Sequence, residues 1–160
     1  MILDDIDWAI LGELQTDGRA GFRELGRRVG LSAPAVTARV RKLEDAGIIT
    51  GYRAVIDEAA LGLDVRAFVR MNVMGSGDLH DRFLETARSI PEIVSLYRVS
   101  GEQTYVLRVA VASVGDLERV LHPLWEYGDT VTGVIMSAPI DGRPLTRPMV
   151  EEPGSRRRAR

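Results

Sequence analysis

Hydrophobic spacing in this 160-residue chain keeps a helical period up to residue 47 and first turns to a strand period after residue 64, and the change calls for two different kinds of structure. Up to Gly47, apolar residues recur every three or four positions, the period of an amphipathic helix. Beyond Asp64, the stretch VRAFVRMNVM sets Val65, Ala67, Val69, Met71 and Val73 against Arg66, Phe68, Arg70 and Asn72. That two-residue alternation belongs to a half-buried strand. A chain of this length suits one large or two small domains, and the change of period places a boundary near residues 53–64.

The first part predicts three helices. DDIDWAILGELQTDGR carries Ile6, Ile10 and Leu14 at helical spacing, with Asp4 or Asp5 to cap it and Gly18 to end it. GFRELGRRVG is a second, short helix ending at Gly30. Ser32 caps a third, Pro34 falls in its first turn where a missing N–H costs little, and Gly47 ends it. Val36, Val40 and Leu43 form its inward stripe. Three helices with the last two joined by GLS make a helix-turn-helix arrangement. IITGYRAVID follows and reads as a strand or hairpin beside them, the wing of a winged helix-turn-helix. EAALGLD is the expected linker.

The second part reads as strand, helix, strand, strand, helix, strand. The helices are SGDLHDRFLETARSI, with Leu79, Phe83, Leu84 and Ala87 inward, and SVGDLERVLHPLWEYG, with a kink at Pro123. EIVSLYRVSG and QTYVLRVAVA are strands joined by a tight turn at Gly101-Glu102, and DTVTGVIMSAPI is the last strand. MGSGD, Met74 to Asp78, reads as a turn and N-cap. The order β-α-β-β-α-β is the ferredoxin-like unit. The expected organisation is therefore α+β: a winged helix-turn-helix domain over residues 1–52, a strand and linker over 53–64, a ferredoxin-like domain over 65–140, and a flexible Arg/Pro-rich tail over 141–160.

Charge is polarised along the chain although the total is only −2. Residues 1–17 hold five acids and no base, whereas Gly18 to Arg53 hold eight basic residues against Glu24, Glu44 and Asp45. Placement of charge governs attraction to nucleic acid more than the sum does. Cysteine is absent, so disulfides and thiolate metal sites are excluded and a cytoplasmic location is expected. No apolar run long enough to span a membrane and no cleavable leader are present.

The third helix carries the functional signal. Near its start the outward residues are small: Ser32, Ala33, Ala35 and Ala38. Small residues let a helix sink into a major groove, and Thr37 can meet a thymine methyl or a base edge from its flank. Arg41 and Lys42 follow on the exposed side, suited to flanking phosphates. Arg39, nearer the core edge, either reaches a phosphate or braces the preceding helix. A solvated charged face on a generic helix is the competing reading, and the three-helix context with its basic segment weighs against it.

With these residues in view, DDIDWAILGELQTDGRAGFRELGRRVGLSAPAVTARVRKLEDAGIITGY resembles the N-terminal domain of the Lrp/AsnC (feast/famine) transcription regulators. The shared features are the Asp-x-x-Asp opening, Gln-x-Asp-Gly-Arg, Gly-Leu-Ser, Arg-Val-x-x-Leu-Glu and Gly-x-Ile-x-Gly-Tyr. AFVRMNV, VSGEQTYVLRVAV and TVTGVIM are similar to that family's effector-binding (RAM-type) domain. The likeness runs from about Leu3 to Ile140. It implies a regulator of double-stranded DNA that forms homodimers and often octamers, with an amino acid or similar small effector held between subunits. One helix-turn-helix module makes few contacts, whereas a dimer doubles them and reads paired half-sites.

The same resemblance places the effector around Ser100, Gly101, Glu102, Gln103, Thr104 and Tyr105, with Thr130 and Thr132 as a second polar pair. Many members carry Gly-Asp-aromatic-Asp-aromatic in this turn. Here Glu102 replaces the first acid, Gln103 the aromatic and Thr104 the second acid. Gly101 would let a ligand approach the backbone, Glu102 could pair with an ammonium group, and backbone N–H groups with Thr104 could hold a carboxylate. A plain solvated turn is the alternative. Tyr97 and Arg98 are weaker candidates. An enzyme resembling the siroheme decarboxylases on the same scaffold, or an architectural DNA-wrapping protein, are the rival functions. The sequence shows no metal spacing, nucleophile elbow or phosphate loop. Its only histidines, His80 and His122, both fall in helical segments.

Overall fold

The structure, a computed structural model, describes residues 2–75, 77–102 and 104–150. It divides into two units, residues 1–55 with 140–160 and residues 56–139.

In the first unit, α1 (Asp5–Thr16), α2 (Phe22–Val29) and α3 (Ala33–Asp45) enclose a small core of Ile10, Leu25, Val36, Val40 and Leu43, all buried. Each helix begins and ends on residues suited to the task. The Asp4 side chain accepts from Asp7 N–H, and the Asp7 side chain accepts from Asp4 N–H, a reciprocal cap that satisfies two otherwise orphaned donors. Ser32 accepts from Ala35 N–H at the start of α3. Gly30, at φ 73°, ends α2 in the left-handed conformation that glycine adopts without a Cβ penalty. Phe22, at the first turn of α2, is 42% exposed.

Residues 48–57 form no strand, contrary to the strand or hairpin expected there. A strand needs a ladder partner, and none is supplied within the described residues. Val55 is 99% exposed, with Tyr52 and Ile56 also exposed. The Tyr52 hydroxyl donates to Glu44 at 3.0 Å.

The second unit has β1 (Val65–Val73), α4 (Gly77–Ser89), β2 (Ile93–Arg98), β3 (Tyr105–Val111), α5 (Val114–Leu121) and β4 (Gly128–Val134). All pairings are antiparallel, in the order β2-β3-β1-β4. Register explains which residues are covered. Val69 stands opposite Leu107 and Thr132, and Met71 opposite Tyr105 and Thr130. Val69, Met71, Leu107 and Tyr105 face the helices and are buried with Phe83 and Leu124. The Phe83 ring lies 4.7 Å from Tyr105 and 5.8 Å from Tyr127, spacings at which aromatic rings attract one another. α5 stops at Leu121, and Pro123 falls in the first turn of the 3-10 helix His122–Tyr127, so the expected kink becomes a change of helix type.

The opposite face of the sheet carries Phe68, 47% exposed, Tyr97, 58% exposed, and Val131. Near it, Arg108 on β3 donates to Glu58 at 2.9 Å, which ties the 3-10 turn Ala59–Leu61 to the sheet. No helix among the described residues is long and apolar enough to cross a membrane.

Candidate functional site

The inward stripe of α3 leaves a defined outer face. Val36, Val40 and Leu43 are fully buried, while Ser32, Pro34, Ala38, Arg41 and Lys42 are exposed and Ala33, Ala35 and Thr37 half-buried. The Thr37 hydroxyl donates back to Ala33 O at 2.9 Å, which leaves its methyl and lone pairs to the flank of the helix. The side chains nearest the N-terminus are thus short, and the long cations come one turn later.

The cations of this unit divide into committed and free. Arg28 donates to Glu13 at 2.8 Å and to Glu24 at 3.0 Å, and Arg27 also reaches Glu24. Arg39 donates to Asp4 Oδ2 and Asp7 Oδ1, both at 2.7 Å. Asp7 is 4% exposed, and burying a carboxyl is costly without a hydrogen-bonded partner such as this one. The Asp7 backbone N–H and then the Arg39 guanidinium hold the Asp4 carboxyl below its usual range, and the hydrogen bonds to Asp4 and Asp7 raise Arg39 above its own. Of the two roles open to Arg39 from sequence, bracing is the one its geometry fills, and the helix it braces is α1 rather than the preceding helix. Arg19, Arg23, Arg41, Lys42 and Arg53 form no ion pair among the described residues. The Asp-x-x-Asp opening contained the signal for this brace, because two acids three positions apart share one face at a helix start.

The turn between β2 and β3 is longer than the two-residue connection expected. Val99 N–H donates to Thr104 O at 3.0 Å and closes a loop over residues 99–104. Ser100, Gly101 and Glu102 are exposed, and Gln103 lies outside the described residues, as do Ser76 and the tail beyond Val150. Gly101 has φ 115°, and a Cβ there would meet nothing within 4 Å, so backbone conformation rather than space requires glycine. Thr104 is already engaged. Its hydroxyl accepts from Val73 N–H at 2.8 Å and donates to Met71 O at 3.3 Å, so it caps the end of β1. Tyr105 is buried on the helix side, its hydroxyl 3.1 Å from His80 Nδ1. Thr130 and Thr132 share that side of the sheet, across β1 from β3. Thr130 is therefore two strands from Tyr105, roughly 10 Å. Of the residues expected to meet a ligand, Ser100, Gly101 and Glu102 present open polar surface, and Thr104 and Tyr105 support the turn from behind. His122 is exposed beside Trp125, ring centroids 5.4 Å apart.

Comparison with known proteins accounts for both units. The AsnC-type helix-turn-helix domain matches residues 3–44, and the Lrp/AsnC ligand binding domain matches residues 66–145. The chain belongs to the Lrp/AsnC family. The HTH-type transcriptional regulator LrpC of Bacillus subtilis is 39% identical over 137 residues, covering 86% of this chain and 94% of LrpC. The leucine-responsive regulatory protein of Rhizobium meliloti is 41% identical over 117 residues, covering 72% of this chain and 75% of that protein. The LrpC structure superposes with a TM-score of 0.82 over 89% of this chain and all of the other. A Neisseria meningitidis transcriptional regulator in complex with L-Met gives 0.86 at 28% identity, over 93% of this chain and 99% of that one. An Lrp/AsnC chain with both domains is a DNA-binding transcriptional regulator, and the relatives are named as regulators, not enzymes.

Proposed function

We propose that this regulator reads paired DNA half-sites as a homodimer and that an amino acid or related small effector, bound beside the β2–β3 turn, adjusts its affinity. The outer face of α3 supports the DNA-reading part most directly. Ser32, Ala33, Ala35, Thr37 and Ala38 meet base edges in the major groove, and Arg41 and Lys42 contact the flanking phosphates. Arg39 is turned toward α1 and holds α3 in place.

The dimer is supported by the uncovered face of the sheet, where Phe68, Tyr97 and Val131 leave apolar surface in water. A second copy covering that face would bury it. Larger assemblies, octamers among them, would build on such dimers. The effector reading rests on the open turn at Gly101 and Glu102 and on the L-Met complex of the Neisseria meningitidis relative. Glu102 receives the ammonium group, turn N–H groups receive the carboxylate, and Thr130 and Thr132 supply hydroxyls, with a second subunit completing the enclosure.

Selection of binding sites from random duplex DNA, followed by footprinting, tests the first part. Two protected half-sites about one or more helical turns apart are expected, and Ala38→Glu should abolish their protection while the chain stays folded. A thermal-shift series over the amino acids, then titration of wild type and Glu102→Gln with any hit, tests the second. Equal affinity in both proteins would place the ligand elsewhere.

A further inference from the structure

The chain leaves its N-terminal unit after Val55 and rejoins it at Ile140. Where it rejoins, Gln15 near the end of α1 takes hold of the backbone. Gln15 Oε1 accepts from Leu145 N–H at 2.8 Å, and Gln15 Nε2 donates to Leu145 O at 3.0 Å. One side-chain amide makes the paired contact that a neighbouring strand would make. Nε2 also donates to Leu11 O at 3.1 Å, which fixes how the amide faces. Leu145 and Val150 line a groove of about 720 Å³ with Leu3, Trp8, Leu11 and Leu14. Arg147, on the short helix α6 (Arg147–Val150), pairs with Asp5 at the first turn of α1. Contacts therefore bracket α1 from its first turn to its last. Composition alone predicts a flexible tail over residues 141–160.

We propose that Gln15 and Leu145 form a clip that fixes the DNA-reading unit at a second point and thereby restricts the half-site spacing a dimer accepts. The inference rests on the dimeric DNA-reading function proposed above. Residues 53–57, between Tyr52 and the paired Glu58, have no regular secondary structure. A flexible tether of that length spans roughly 11–13 Å on average, or about three to four base pairs of slack at about 3.4 Å each. A unit held by that tether alone could follow half-sites as they move apart. The clip closes a second connection. Ile135 N–H donates to Arg66 O at 2.7 Å just beyond β4, so the sheet itself is the anchor from which residues 136–144 run to the clip. Two attachments allow less travel than one.

The test uses the full chain and a DNA duplex carrying two half-sites taken from the selection experiment, with the spacer lengthened one base pair at a time through half a helical turn. Kd is measured at each spacing for wild type, Gln15→Ala and Leu145→Asp. Wild type should lose affinity steeply away from its best spacing. In both variants the ratio of worst to best Kd should fall at least about fivefold, the low end of coupling between linked sites, while Kd for an isolated half-site stays unchanged. The chain has no cysteine, so Gln15→Cys with Leu145→Cys supplies one thiol pair for a short bis-maleimide link. The linked protein should run at monomer mass on a denaturing gel and show the steepest spacing profile. A profile shared by wild type and both variants overturns the clip and leaves the dimer standing. A wild type indifferent to spacing overturns the dimeric reading and the clip with it. A linked product at dimer mass overturns the clip as a contact within one chain.

Discussion

Replacing Gly26 by alanine should displace α3 while leaving the core intact. Gly26 is buried inside α2, and its carbonyl accepts from Leu31 N–H at 2.8 Å across the turn. A Cβ there would lie 2.5 Å from Leu31 O and 3.4 Å from the carbonyl carbons of Leu31 and Ser32. These are backbone atoms of the segment that launches α3, so no side chain can swing away to make room. Overpacking of this kind costs about 1–3 kcal/mol, and alanine recovers roughly 0.5–1 kcal/mol of helix preference. The net destabilisation is roughly 0–2.5 kcal/mol with its centre near 1, and each kcal/mol is a fall of about 4–8 °C in the midpoint of a domain this small. Specific DNA affinity should drop further than the smaller folded fraction accounts for, by at least about tenfold, because the shift falls at Ser32, where the groove-facing residues begin. Gly12→Ala is the control: a Cβ there meets nothing within 4 Å, so it should stabilise by up to about 1 kcal/mol. Trp8 and Trp125 are the two tryptophans, one in each unit. In a Trp125→Phe background, Trp8 fluorescence reports unfolding of the N-terminal unit alone, and fluorescence anisotropy of labelled DNA reports binding. A Gly26→Ala protein as stable as the Gly12→Ala protein and binding as tightly as wild type would refute the argument.

Arg41→Ala and Lys42→Ala should each lower the slope of log affinity against log salt by about 0.9, the share of a single neutralised phosphate. Arg39→Ala should weaken binding with the slope unchanged, because its guanidinium is bound to Asp4 and Asp7; a lower slope would make it a phosphate ligand. Thr104→Val should destabilise the C-terminal unit by about 1–3 kcal/mol by stranding Val73 N–H, seen as a lower urea midpoint for Trp125 fluorescence in a Trp8→Phe background. Asp4 is held below its ordinary value of 3.8 in the folded state, so its contribution is complete above that pH and lost as pH falls through the lower, folded value. Acid titration followed by Trp8 fluorescence should show a transition that moves to higher pH in Asp4→Asn, which lacks that contribution at every pH, and an unmoved transition would assign acid unfolding to other groups.

Periodicity made the three helices and the four strands legible, because each element buries one face and the burial repeats at its own period. Ser32, Pro34 and Gly47 marked the limits of α3 for reasons local to the chain. The sheet order was readable only as a motif, since the pairing of Met71 with Tyr105 on one side and Thr130 on the other depends on residues far apart in sequence. The strand expected at 48–57 had the right composition but no partner within the described residues. At the site, Arg41 and Lys42 could be placed from the helical wheel. The commitment of Arg39 to α1 and of Thr104 to the end of β1 could not be decided from spacing, because each bond crosses more than thirty residues of sequence. Composition pointed to a flexible tail from residue 141 onward. Pro, Arg and Gly lower the tendency to fold alone, but they do not prevent Leu145 and Val150 from lining a groove with Trp8, Leu11 and Leu14.

Because the N-terminal unit draws residues from both sides of the sheet domain, the order of synthesis is not the order of completion. At ordinary rates of translation, residue 140 follows residue 55 by roughly 4–17 s. Throughout that interval the emerging three-helix head has its groove along Trp8, Leu11 and Leu14 without Leu145 or Val150 against it. The sheet domain must be made before the head receives its final cover. A chain cut short within the sheet could still present α3 but would lack Leu145 and Val150 along that groove, so the finished head carries a structural mark that translation has passed residue 150.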